Sequence, residues 1–299
     1  MTRSDYPGKA AVEARGWIRA HKWLVLRRLS QLGILGLFLL GPLAGIWVVK
    51  GNLSASMTLD VLPLADPMLL LQSMLSGNLP VLSGAIGALI VLGFYALVGG
   101  RVFCSWVCPV NPITDLAAWL RRRLDLRASA KLSRNLRYWM LGLVLLLPAV
   151  TGVIAWEYVN PVSMLHRGLI FGMGFAWVVL LGVFLLDLFV AKHAWCGHLC
   201  PVGAFYGLVG AKAVIRVSAA RRDACNDCMD CFAVCPEPQV IKPALKGASK
   251  GTSPVILDIN CTNCGRCIDV CSLDVFRFGT GRPRDTTIPA SGRQRIQRA

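Results

Sequence analysis

Eight of the twelve cysteines in this 299-residue chain fall in two runs, CNDCMDCFAVC at 225–235 and CTNCGRCIDVC at 261–271. Both read C-x2-C-x2-C-x3-C, the spacing that holds a pair of cubane iron–sulfur clusters, with the fourth cysteine of each run serving the other cluster. Three thiolates in a tight turn clasp one face of a cube. The fourth, a short helical turn later, points to the neighbouring site. The spacing therefore assigns Cys225, Cys228, Cys231 and Cys271 to one [4Fe–4S] cluster, and Cys261, Cys264, Cys267 and Cys235 to the other. Zinc also uses C-x2-C pairs, but rarely two tandem four-cysteine runs of one period. One departure is visible: Cys235 is followed by Pro236, Cys271 by Ser272. Loss of that proline softens the turn and removes no ligand.

The other four cysteines form a repeat. RVFCSWVCPVNPITDL and HAWCGHLCPVGAFYGL each carry Cys-x3-Cys-Pro-Val, so that Cys104 and Cys108 recur as Cys196 and Cys200, 92 residues on. Four thiols brought together can bind a further metal centre or cycle as disulfides, and the spacing does not choose between them. Arg101, Lys192 and His193 lie beside the pairs and would favour thiolate. The plainer alternative is thiols that only pack at helix ends.

The elements that must position these groups are apolar. The chain is 55% hydrophobic and 16% charged, against about 25% charged for soluble domains. The net charge of +16 would suit nucleic acid, but its distribution argues against that partner. Residues 1–28 hold seven Lys/Arg, 29–100 one, 101–137 eight, 138–191 one and 192–299 fifteen. Basic blocks alternating with uncharged apolar ones are a membrane-topology signal. Four runs, at about 29–49, 80–99, 138–158 and 169–191, are long enough to span, since a crossing needs roughly 20 residues. The expected fold is thus a membrane all-α domain of four transmembrane helices, built as two two-helix repeats, plus a small α+β two-cluster ferredoxin-like domain. The expected order is a cytoplasmic basic segment (1–28), the four-helix domain (29–216), the two-cluster domain (217–278) and a basic disordered tail (279–299). Both termini are placed in the cytoplasm, and a disulfide-bonded tail domain is disfavoured there. The 28 polar-leaning residues ahead of the first run argue against a cleaved signal peptide.

The order of apolar runs, paired CxxxCP motifs and two-cluster tail resembles the membrane quinol dehydrogenase subunit of periplasmic nitrate reductase systems. WLVLRRL, FCSWVCPVNPITDLAAWLRRR, WCGHLCPVGAFYG and CMDCFAVCPEP carry the likeness, which runs from about residue 15 to about 276. The resemblance implies a protein of the bacterial inner membrane. It would take electrons from the quinol pool and pass them to a periplasmic iron–sulfur protein, then to a multihaem cytochrome or the nitrate reductase. A rival reading is an assembly or maturation factor whose clusters and thiols reduce a metal or disulfide in a partner. A third, a mere anchor, is disfavoured by two complete cluster motifs. No haem b is expected: His21, His166, His193 and His198 are the only histidines, and no pair lies within the apolar runs.

Quinol oxidation needs proton acceptors, and ionisable groups at membrane depth are the candidates. Glu157 and His166 on the outer side, and Asp187 in the fourth run, are taken as such, although Glu157 also suits a simple interfacial position beside Trp156 and Tyr158. Trp106, Trp195 and Tyr206 near the cysteine pairs can flank a quinone ring or serve as interfacial aromatics. Loop 50–79 is expected to be an amphipathic segment lying on the membrane.

Overall fold

The structure is a computed structural model, and it describes residues 6–126, 129–172 and 174–280. The chain divides into two compact units. One gathers Met1–His21, Val214–Asp258 and Gly265–Ala299; the other holds Lys22–Ala213 and Ile259–Cys264. The expected disordered tail begins inside a strand at 279–280, and its remainder, 281–299, lies outside the described residues.

The helices, in chain order, are α1 (Lys9–Arg15), α2 (Trp17–Ala20), α3 (Lys22–Ala44), α4 (Pro67–Leu75), α5 (Leu82–Val98), α6 (Val102–Trp106), α7 (Asn111–Arg123), α8 (Leu136–Thr151), α9 (Pro161–Phe171), α10 (Ala176–Leu185), α11 (Pro201–Val209), α12 (Asp230–Val234), α13 (Ile241–Lys246) and α14 (Arg266–Asp269). The strands are β1 (Val49–Gly51), β2 (Ala55–Thr58), β3 (Leu62–Ala65), β4 (Ile215–Ser218) and β5 (Arg277–Thr280).

The expectation of four transmembrane helices is corrected. Only α3, with 23 residues, is long and apolar enough to cross a membrane among the described residues. The other apolar runs form shorter helices, Leu82–Val98, Leu136–Thr151 and Ala176–Val190. Backbone breaks that hydropathy does not register cut them short. α5 stops at Gly99 (φ +137) and α8 at Gly152 (φ +70). The fourth run is divided at Gly172 (φ +95), and its last turn, Leu186–Val190, is π-helical. Glycine adopts such backbone angles without a Cβ penalty, so an apolar run rich in glycine overstates the helix within it. The two-helix repeats are corrected likewise: each repeat is an apolar helix, a cysteine turn and a following helix, α5–α6–α7 and then α10–Trp195–Leu199–α11.

Nor is this unit all helical. Residues 49–65 form an antiparallel sheet in the order β1-β2-β3, with Val49 opposite Thr58 and Ser56 opposite Leu64. Its first turn is fixed by the Asn52 side chain, which accepts the Ser54 and Ala55 N–H groups at 2.8 and 2.9 Å. The second turn is a three-residue loop, Leu59–Val61, closed by the Val61 N–H donating to the Thr58 carbonyl at 3.1 Å, with Leu59 and Asp60 left-handed at φ +52 and +59. α4 and α9 open with one device, an Asp66-Pro67 or Asn160-Pro161 step. In each, the side chain at the cap accepts the N–H two residues on, and proline takes the first helical position. The core of this unit collects Met68, Tyr95, Leu141, Trp156, Val202 and Tyr206.

In the other unit β4 pairs antiparallel with β5, Val217 opposite Phe278. The segment after the first cysteine run folds as α13 with Ile241, Ala244 and Leu245 buried, then returns to bridge Ser218 at Val255. The N-terminal segment is stapled to this unit. Gly8 N–H donates to Asp230 at 2.9 Å. Arg15 donates to the Asp269 carbonyl at 2.6 Å and pairs with Asp274 at 2.5 Å. Arg15→Ala is expected to loosen this staple by about 2 kcal/mol, seen as faster thermolysin cleavage between residues 6 and 21 with cluster content unchanged.

Candidate iron–sulfur and thiol sites

The first cluster loop has the backbone that an anionic cluster requires. Asp227 and Met229, two residues after Cys225 and one after Cys228, are left-handed at φ +61 and +67. The second loop repeats the pattern at the equivalent places, Asn263 at +47 and Gly265 at +73. Alternating right- and left-handed residues turn successive N–H groups inward, the concavity that receives negative charge at iron–sulfur and phosphate sites. In the first loop the position after the second cysteine is Met229, which accepts a strained angle to complete this turn; the second loop uses glycine.

Cys225, Cys228, Cys231 and Cys271 line one pocket, together with the apolar Phe232, Leu245, Val275 and Phe276. These are the four ligands assigned from spacing. Burial pushes the Cys231 thiol up to about 12, and also raises Cys225, which the nearby Lys246 partly offsets. Burial thus favours the protonated form of Cys225 and Cys231, and a cluster must displace those protons as it binds. Val275 N–H already donates to Cys271 Sγ at 3.4 Å. Lys246 pairs with Asp227 on the same loop. Of the second set, Cys235 and Cys267 belong to this unit, and Cys261 and Cys264 to the other.

The CxxxCP cysteines come together. Cys104 sits on α6, Cys108 in the turn after it, Cys196 in the π-helical turn Trp195–Leu199, and Cys200 caps α11. All four line one small pocket, with Trp156 and Trp195 stacked at 6.5 Å on its wall. Burial raises all four thiols, Cys200 to about 11. The Arg101 guanidinium opposes this at Cys104 and Cys200.

Among the described residues no three His, Cys, Asp or Glu side chains stand close enough to hold a single metal ion. A cubane makes a different demand. Each of its four irons takes one thiolate, so the sulfurs surround a body wider than a lone ion with bonds of about 2.3 Å. The donor set of four thiols and the inward N–H groups fit a cluster better than a single ion.

Comparison with known proteins agrees with this chemistry. A family described as "4Fe-4S binding domain" matches residues 80–127 and again 173–218, one copy for each CxxxCP motif. A "4Fe-4S dicluster domain" matches 224–275. The chain is 52% identical over 274 residues to the "Ferredoxin-type protein NapH" of Escherichia coli (strain K12), covering 91% of this chain and 94% of that one. The chain belongs to the NapH-type ferredoxin-type proteins. It is also 54% identical over 267 residues to the "Methylamine utilization ferredoxin-type protein MauN" of Methylorubrum extorquens, covering 89% and 92%. A more distant likeness, 27% over 294 residues, links it to the "Putative electron transport protein YccM" of Escherichia coli, covering 89% and 78%. No solved structure matches.

Two features of this NapH-type chain bring the repeats together. Arg101, buried, donates to the Asn260 carbonyl at 2.8 Å and to the Cys196 carbonyl at 3.0 Å. It thus holds the second cysteine turn from the foot of the first. Sequence reading gave Arg101 only an electrostatic part. Gly100 lets two backbones touch: a Cβ there would stand 1.5 Å from the Tyr206 carbonyl oxygen. Gly100→Ala is expected to cost at least about 3 kcal/mol, because backbone rather than a side-chain tip must move. The yield of monodisperse protein in detergent should collapse, while an alanine at Gly142, which meets nothing within 4 Å, should be harmless.

The three expected proton acceptors are not gathered at one place. Glu157 pairs with Arg167 at 3.4 Å and accepts from Asn160. His166 is buried on α9 with its ring edge-to-face to Phe38 at 5.1 Å. Neither of its ring nitrogens has a hydrogen-bond partner among the described residues. Asp187 is fully buried, and its Oδ1 accepts the Trp195 N–H at 2.9 Å. It therefore fixes the start of the turn that carries Cys196.

Proposed function

We propose that this chain is the lipid-associated electron-transfer subunit of a quinol-oxidising system, passing electrons from the quinol pool through iron–sulfur clusters toward a periplasmic reductase. The observation that carries the reading is the gathering of four thiols from two repeats in the unit that also holds α3. Sulfur chemistry and an apolar helix of membrane length belong to one body.

Bound in the two cysteine loops, each [4Fe–4S] cluster would accept and release one electron at a time. The chain's part is to hold thiolates at fixed places, turn backbone N–H groups toward them and keep water from the buried sulfurs. Cys225, Cys228, Cys231 and Cys271 would hold one cluster, and Cys261, Cys264, Cys267 and Cys235 the other. The CxxxCP thiols would hold a further centre or cycle as a disulfide.

Exposed large apolar side chains on α3, among them Leu29, Leu32 and Leu43, suit burial in lipid. In this reading residues 6–21, which pack in one unit with 265–280, would share one side of that membrane with them. The seven Lys/Arg of residues 1–28 favour the cytoplasmic side.

The relative named for methylamine utilization is as similar as the NapH protein. The common service is therefore electron supply, with the acceptor set by partner proteins. A periplasmic iron–sulfur protein, then a multihaem cytochrome or nitrate reductase, is the chain of acceptors we assign. The same likeness keeps a second reading, reduction of a metalloenzyme during its maturation. Anaerobic purification in detergent tests the proposal. Iron near about eight per chain, or above it if the CxxxCP thiols bind more, should accompany reduction by menaquinol or ubiquinol. Clusters that dithionite reduces but neither quinol does would overturn it.

A further inference from the structure

The unit that holds the thiol pocket contains a second cavity, of about 450 Å³. This is within the roughly 300–1,000 Å³ of small-molecule sites. Its wall is mostly apolar and aromatic, with Phe38, Phe94, Tyr95, Phe103 and Tyr206. Phe103 and Tyr206 are stacked at 5.0 Å, and Tyr95 meets Tyr206 edge-on at 5.0 Å. Among the described residues, the one carboxylate on the wall is Asp66. It accepts the Tyr206 hydroxyl at 3.3 Å and the Met68 N–H at 3.0 Å, which fixes its orientation. A second polar group is made by Ser54, Asn160 and Ser163, with Asn160 donating to Ser163 at 3.1 Å.

Three further observations narrow the occupant. Leu37 of α3 and Ile90 and Phe94 of α5 line the cavity, yet are 41%, 39% and 53% exposed. The approach is therefore apolar and runs beside the one helix of membrane length, which suits a ligand with a hydrocarbon tail. The polar groups within would be wasted on an acyl chain, since buried polar atoms want partners. Finally, Phe103, Asn160, Val162 and Val202 line both this cavity and the pocket of the four thiols. One layer of side chains separates the two.

We propose that this cavity seats the ring of a lipid-soluble quinol, with Asp66 accepting its hydroxyl hydrogen and taking the proton on oxidation. The proposal rests on the quinol-oxidising reading above and gives that reading its site. Oxidation of one quinol to quinone breaks two O–H bonds and releases two protons and two electrons. Asp66 takes the first proton, passes it to water on the side where Ser56 and Thr58 line the cavity, and takes the second. Two oxidised iron–sulfur acceptors take one electron each. Burial raises the Asp66 carboxyl from its ordinary 3.8 to about 6, against the pull of the Met68 N–H and the Tyr206 hydroxyl. A group titrating there can take up and release a proton near neutral pH.

The test uses the full chain, loaded with clusters, in detergent. Asp66→Asn keeps an oxygen for Met68 and Tyr206 but loses the base. Val91→Trp fills the cavity from α5. Two readouts are taken: rate of cluster reduction by decylubiquinol and by a menaquinol analogue, and photolabelling by a short-tailed azidoquinone mapped to peptides. Asp66→Asn should slow quinol-driven reduction at least about 100-fold, the loss expected of a general base. Val91→Trp should abolish labelling of peptides around residues 49–66 and 90–107. Iron content and dithionite reduction should stay as in the parent. If quinol reduces the parent and both variants alike, the site is overturned while the quinol reading survives. If quinol does not reduce the parent, the reading fails; the cavity proposal then fails with it unless azidoquinone still labels these peptides in an Asp66-dependent way. Labelling elsewhere, with phospholipid retained in the cavity, would make it a lipid seat and overturn the proposal.

Discussion

Cys231→Ser and Cys271→Ser, forty residues apart in sequence, are expected to give one and the same lesion, while Cys231→Ser and Cys235→Ser, only four apart, give different ones. Cys231 and Cys271 line a single pocket. Cys235, although it closes the first run, is assigned to the cluster of Cys261, Cys264 and Cys267 by the crossed pattern of two-cluster loops. Each single variant should lose about four of about eight tail irons per chain, because serine oxygen is a far weaker partner for iron than thiolate. The decisive comparison is between double variants. Cys231→Ser/Cys271→Ser should match either single change in iron content and in the low-temperature EPR of the dithionite-reduced protein. Cys231→Ser/Cys235→Ser should remove nearly all tail iron. Equal iron in the two doubles would refute the crossed assignment. Because ligand sets that bind only the folded state add to its stability, the second double should also unfold at lower denaturant than the first.

What the sequence made legible was chemistry carried by spacing. The eight tail cysteines, the CxxxCP repeat and the first apolar run, expected at about 29–49 where the helix is Lys22–Ala44, could be read because each depends on residue type at a fixed interval. What escaped depended on backbone angle or on contacts between distant segments. Gly99, Gly152 and Gly172 add to an apolar run in a hydropathy window, yet each ends a helix, so three expected spans became helices too short to cross. The 49–65 sheet rests on positive angles at Leu59 and Asp60, of which only Asp60 is a usual turn residue. Asp187 stood out as an ionisable group in an apolar run. Its hydrogen bond to the Trp195 N–H gives it a positioning role that no spacing announces. In the sequence Asp66 reads only as part of the amphipathic loop 50–79, although Asp-Pro before an apolar stretch is the pattern of a helix cap. It is one, at Met68 N–H, and the same carboxylate also faces a cavity through Tyr206, 140 residues away.

The same distinction governs the four CxxxCP thiols, where spacing named the residues and the fold brought them together. Serine at Cys104, Cys108, Cys196 or Cys200 is expected to slow quinol-driven reduction of the tail clusters at least about 100-fold, more than the 10- to 100-fold typical for loss of an outer-shell partner. Dithionite should still reduce those clusters at the parent's rate, since their own ligands are untouched. All four thiols share one pocket, so the four variants should be alike and doubles among them no worse. Iron then separates the two chemistries. If the pocket holds a further centre, every variant loses the same increment of iron above the tail's share. If the thiols cycle as two disulfides, iron is unchanged, and mild oxidation of the parent protects all four thiols from alkylation, whereas each variant leaves one thiol, the partner of the replaced cysteine, open. Tail clusters that quinol reduces normally in all four variants would leave the pocket outside the electron path. The geometry left to explain would then be the Arg101 clasp on the Cys196 and Asn260 carbonyls, a structural task that needs no sulfur.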